Sequence, residues 1–141
     1  MHTFKENNLV HFGEITSALG GETSDTITTL RFPSMENYDV ITFIGIVSEL
    51  ASDSIATLTA YEATATAGTG SSSISGATDT FTSTNVTDTD VLIVSVRAAD
   101  LTAGYQYVGA KLVTSNASGT EEAALIAIQS RPRYGQATLV E

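Results

Sequence analysis

Residues Asp39–Leu50 read DVITFIGIVSEL, and this segment constrains the fold more than any other in the chain. Val40, Ile41, Phe43, Ile44, Ile46 and Val47 place apolar side chains at both odd and even positions. Alternate residues of an extended chain face opposite ways. A strand that is apolar on both faces therefore belongs at the centre of a sheet and is expected to be covered on both sides.

The rest of the chain supplies neighbours for such a strand. Ile27–Phe32 reads as a short strand ended by Pro33, which cannot donate to a ladder. Ser54–Thr66 alternates, with Ile55, Thr57, Thr59 and Tyr61 facing opposite to Ala56, Leu58 and Ala60. A turn over Thr87–Asp90 leads into a strand at Val91–Arg97, and a single helical turn is expected at Ala98–Leu101. Tyr105–Thr114 is another strand, closed by the turn Ser115–Gly119. The run EEAALIAIQS has helix-forming residues, but Gly119-Thr120 and Pro132 confine it. As a strand it puts Ala124, Ile126 and Ile128 on one face. Ala67–Asp79, AGTGSSSISGATD, reads as a long surface loop, with a short edge strand around Phe81.

Six to eight short strands separated by Gly, Asn, Ser and Asp turns predict an all-β fold. The expected form is an antiparallel β-sandwich, jelly-roll or immunoglobulin-like, with an extended N-terminal arm. At 141 residues the chain is sized for one domain. Residues 1–25 form the arm, and 26–141 the single sandwich domain with a C-terminal tail from about 131. Phe4, Leu9, Val10 and Phe12 follow no clean period, yet two phenylalanines suit a docked arm, lying on its own domain or on a neighbour.

Composition narrows the function. Charged residues are only 16%, while Thr and Ser together make about a quarter of the chain, as suits a pleated, half-exposed surface. The net charge of -10 opposes binding to nucleic acid, whose affinity rests on Lys and Arg, and to anionic membranes. No apolar run reaches the roughly 18 residues of a membrane helix. The start shows no apolar secretory core, so the chain reads as soluble and made in the cytoplasm.

Chemistry-bearing patterns are few. The chain has no cysteine, which removes disulfides, thiolate metal sites and thiol catalysis. His2 and His11 fall in the arm, with Glu6 and Glu14 as their nearest carboxylates, and read as exposed terminal residues. Asp79, Asp88 and Asp90 lack the spacing of a calcium loop and read as turn formers. GTGSSSISG lacks the Gly-Lys-Ser/Thr ending of a phosphate loop, and no G-x-S-x-G elbow occurs. The expectation is a protein without catalytic residues, cofactor or metal. Asn85 and Asn116 match the glycosylation pattern as chance occurrences in a Thr/Ser-rich chain.

Three stretches carry a resemblance: YDVITFIG from Tyr38, ATLTAYEATATAGTGSSSI from Ala56, and the long segment Val96–Ala137. Within the last, Asp100-Leu101, Gly104 and Val108 form a corner, and Pro132-Arg133-Tyr134 close the final strand. In this order they resemble the small β-rich capsid decoration, or cement, proteins of tailed bacteriophages, over roughly two-thirds of the chain. The resemblance implies a cofactor-free protein on the outer surface of an icosahedral phage head. Its partners would be the major capsid protein and copies of itself, as a homotrimer at three-fold or quasi-three-fold positions. A carbohydrate-binding or adhesive sandwich of the virion, with Gly68–Gly76 as recognition edge, is the alternative.

Only six residues are Lys or Arg, and two of them bracket Pro132. Pro132 ends the ladder for want of an N–H. Arg131 and Arg133 either pair with local carboxylates or, with Tyr134, meet a neighbouring subunit or the shell, where Arg and Tyr are favoured anchors. The expected partner-contact residues are thus Phe4, Leu9 and Phe12 in the arm and Arg131, Arg133 and Tyr134 in the tail.

Overall fold

Alternation of buried and exposed side chains assigns the strands to two sheets facing each other across one core. In the computed structural model, residues 10–12, 24–29, 31–85, 88–115 and 122–132 are described. They form β1 (Val10–Phe12), β2 (Ser24–Thr28), β3 (Tyr38–Leu50), β4 (Ile55–Ala63), β5 (Ser72–Thr82), β6 (Asp88–Arg97), β7 (Tyr107–Ser115) and β8 (Glu122–Pro132). A single 3₁₀ turn, Ala98–Asp100, follows β6 as expected.

The first sheet has the order β1-β8-β3-β6 and the second β2-β7-β4-β5, with every pairing antiparallel. Eight strands split four and four in this order are a jelly roll. The immunoglobulin arrangement, four strands packed on three in its constant form, is excluded. Val10–Phe12 adds to the sheet beside β8, so this part of the arm lies on its own domain.

The core follows from period two. Ile41, Phe43 and Val47 of β3 point inward with Leu92, Val94 and Val96 of β6 and Leu125 and Ala127 of β8. They meet Ile27, Leu58, Ala60, Val108, Ala110 and Leu112 of the second sheet. Each large aliphatic or aromatic side chain buried this way contributes about 1.5–3 kcal/mol.

Two sequence expectations are corrected. Ala67–Asp79 is a loop only in its first half. Gly68 and Ser71 close backbone turns to Ala65 and Gly68, and Ser72 then begins the edge strand β5, which runs past Phe81 to Thr82. The strand expected at Ile27–Phe32 ends at Thr28. Phe32 instead lays its buried ring on Gly109 and Gly68, where an added Cβ would stand 2.7 and 2.8 Å from ring carbons.

Edges are managed by side chains. Asp79 on β5 reaches the other sheet, its Oδ2 accepting the N–H of Ile93 at 2.9 Å while Oδ1 accepts from Thr80. One carboxylate thereby satisfies a donor on edge strand β6 that would otherwise face a passing chain. Gln129, buried on β8, donates through Nε2 to the carbonyl of Ser34 at 2.7 Å, fastening the β2–β3 connection to the first sheet.

Candidate functional site

The outward faces of the two sheets differ in chemistry. On the second sheet, Thr57, Thr59 and Tyr61 alternate with the buried row, Thr59 and Thr78 share a hydrogen bond of 3.2 Å, and Lys111 Nζ sits 4.5 Å above the Tyr61 ring. This face is hydroxylic and internally bonded.

On the first sheet, Val91 and Ile93 of β6 are 50% and 55% exposed, and Ile46 and Ile128 are also exposed. Ile46 stands opposite Val91, Ile44 opposite both Ile93 and Ile126, and Thr42 opposite Ile128. The registers gather these residues into one aliphatic field, with a Thr42–Ser95 hydroxyl pair at 2.9 Å beside it. Among the described residues, four of the five exposed large hydrophobic side chains lie here, and Ile55 is elsewhere. Strand spacing makes the face about 19 Å wide and, from Val40 to Ser48, about 30 Å long. A contiguous cluster of exposed aliphatic side chains on such a face is the kind of apolar patch that is often functional.

β3 is central, as its sequence demands, but only its Ile41, Phe43 and Val47 row is covered. Val40, Ile44 and Ile46 form the second apolar row, and no described residues pack over them as a further layer. The expectation of cover on both sides is corrected to cover on one. The exposed aliphatics were not among the expected contact residues, although an apolar second row on β3 is the signal that marks them.

Of the expected contacts, Phe4, Leu9, Arg133 and Tyr134 lie outside the described residues. Phe12 pairs opposite Ile126 at the edge of the same sheet. Arg131 lies at the end of β8, exposed, with φ of 54°, a left-handed conformation that costs a non-glycine residue roughly 1 kcal/mol. Among the described residues no carboxylate pairs with it. Arg97 stands opposite Val40 at this same end of the sheet. Phe12 and Arg131 therefore border the aliphatic face, one at its edge and one at its end.

A second feature lies where β5 passes β6. There a cleft of about 610 Å³ is lined by Glu62, Ser72, Ser73, Ser75, Asp100 and Thr102, with Ile74, Ala77 and Val96 among its apolar walls. Glu62 is 6% exposed, and its Oε2 accepts the N–H of Thr102 at 2.8 Å. Among the described residues, no three His, Cys, Asp or Glu side chains cluster to hold a metal ion.

No family model and no curated protein matches the sequence. Three solved structures of similar shape come from viruses. The enzymatically active domain of tailspike protein 4 from bacteriophage CBA120 aligns with 87% of this chain at 6% identity and a TM-score of 0.49. A structure of infectious bursal disease virus, Gx strain, aligns with 86% at 12% identity and 0.45. The chain spans 20% and 30% of those two partners. Broad bean stain virus aligns over 100% of this chain and 98% of its own, at 10% identity and 0.47. With scores below 0.5, the assignment of the fold rests on the strand order itself.

Proposed function

We propose that this chain is a structural protein of a tailed-phage virion, a decoration or cement protein on the outer surface of the icosahedral head. The observation that carries the reading is the aliphatic face of the first sheet. Ile46, Val91, Ile93 and Ile128 keep large hydrophobic area in water, whereas the outward face of the second sheet is largely hydroxylic. Such a field favours burial against a protein surface.

The partners proposed are the major capsid protein and further copies of the chain, as a homotrimer at three-fold or quasi-three-fold positions. Repetition around a closed axis turns modest contacts into a multivalent clamp, since each later contact forms at high effective concentration. The action is mechanical: bridging capsomers adds contacts that packaged genome must also break. The chain is read as non-catalytic and cofactor-free, made in the host cytoplasm and then bound to the shell. Phe12 and Arg131 would extend the contact beyond the aliphatic field.

The test is reconstitution on heads lacking the protein. The wild-type chain should cosediment with heads and raise the temperature at which they release DNA. Ile93→Asp, folded by circular dichroism, should do neither. Full binding by that variant refutes the docking face, and failure of the wild-type chain to bind any head refutes the function.

A further inference from the structure

We infer that the cleft between β5 and β6 binds a neutral saccharide. The cleft is created by an irregularity in the ladder. Pairing passes from Thr59 opposite Thr78 to Tyr61 opposite Ser73, so two steps along β4 answer five along β5. The surplus residues bulge away from β4, turning at Gly76, whose φ of 76° a side chain would strain. Bulges of this kind re-aim side chains and recur beside binding sites. Here the bulge swings Ser75 and its neighbours out to face Glu62, Asp100 and Thr102.

The lining selects the ligand class. Carboxylates only accept hydrogen bonds, whereas serine and threonine hydroxyls both donate and accept. Sugar hydroxyls, which also do both, can satisfy such a surface. No Lys, Arg or His lines the cleft, and two carboxylates do, so phosphate, sulfate and acidic sugars are repelled. A wholly apolar ligand would strip water from the polar lining and return no hydrogen bonds. A hard cation seeks six to eight oxygen ligands, and no metal-binding cluster of side chains exists among the described residues. The partly buried Ile74 and Ala77 provide apolar contact for the C–H face of a pyranose. The volume lies within the usual range of small-molecule sites, roughly 300–1,000 Å³, and suits a mono- or disaccharide.

Glu62 is the fixed element. Its carboxylate, nine-tenths buried, is oriented by the Thr102 N–H. Asp100, by contrast, is exposed at the end of the 3₁₀ turn. This inference stands apart from the docking face, whose test variant, Ile93→Asp, does not alter a residue lining the cleft.

The experiment titrates the ¹⁵N-labelled full chain with maltose, cellobiose, lactose and mannobiose, and separately with spermine. At least one disaccharide should produce saturable shifts in the amides of Ser72–Ala77, Ser95 and Thr102, insensitive to salt. Asp100→Asn and Ser75→Val, each with an otherwise unchanged spectrum, should weaken that binding roughly tenfold, about the equivalent of one hydrogen bond. The inference is overturned if no disaccharide gives saturable shifts or if the shifts map elsewhere. Full affinity in both variants, or spermine binding the cleft where sugars do not, overturns it equally.

Discussion

Replacing Gly109 with alanine puts a methyl group where a ring already lies. The new Cβ would stand 2.7 Å from three carbons of Phe32, while ordinary contact begins at 3.4 Å, so the ring must retreat by the 0.7 Å difference. It has little freedom to do so, because the Phe32 N–H is bonded to the Thr66 carbonyl at 2.9 Å and the Pro33 carbonyl accepts from Val108 at 3.1 Å. Overpacking at such a site costs about 1–3 kcal/mol. Against it stands the relief of removing glycine from a strand, about 0.5–1 kcal/mol. Gly109→Ala should therefore destabilise by about 1–2 kcal/mol, lowering Tm by about 3–6 °C. Phe32→Ala alone should cost about 3–5 kcal/mol. With the ring gone, those three close contacts vanish, and Gly109→Ala should change sign and stabilise by about 0.5–1 kcal/mol. The cycle thus predicts a coupling near 2 kcal/mol, read from urea unfolding with an unchanged denaturant slope. Additivity within about 0.5 kcal/mol would show that the ring does not rest on Gly109, and would refute the account of the β2–β3 connection.

Thr114 Oγ1 is buried without a hydrogen-bond partner among the described residues, so Thr114→Val should stabilise by up to about 1 kcal/mol in the same assay. Asp79→Ala removes the carboxylate that joins β5 to β6. A loss of about 1–2 kcal/mol is expected, together with faster hydrogen exchange at the Ile93 amide. Ile93 is more than half exposed, so Ile93→Asp should change the stability of the isolated chain by less than about 1 kcal/mol in the same unfolding assay.

Much of the sandwich was legible because period two is a strong signal where side chains alternate cleanly. Ala56, Leu58 and Ala60 against Thr57, Thr59 and Tyr61 gave β4 its inward face, and Ala124, Ile126 and Ile128 fell on one face of β8. Jelly roll and immunoglobulin orders could not be separated, because they differ in which strands pair across long separations, and local pattern carries no such information. SSSISG misled for a physical reason: small hydroxyl residues and glycine are common to loops and to bulged edge strands. The aliphatic face was visible as the second apolar row of β3 but was read as interior. A residue-by-residue pattern records which positions avoid water, not whether the cover comes from the same chain.

The position of β8 governs when the molecule can be made. It lies between β1 and β3, yet among the described strands it comes last in the chain. Until Glu122–Pro132 emerges, β3 carries an open backbone edge and Val10–Phe12 has nothing to pair with. Pairings across more than a hundred residues close slowly. Neither pairing can form before β8 has been made, and a chain stalled or truncated ahead of it offers a long apolar strand to any other chain within reach.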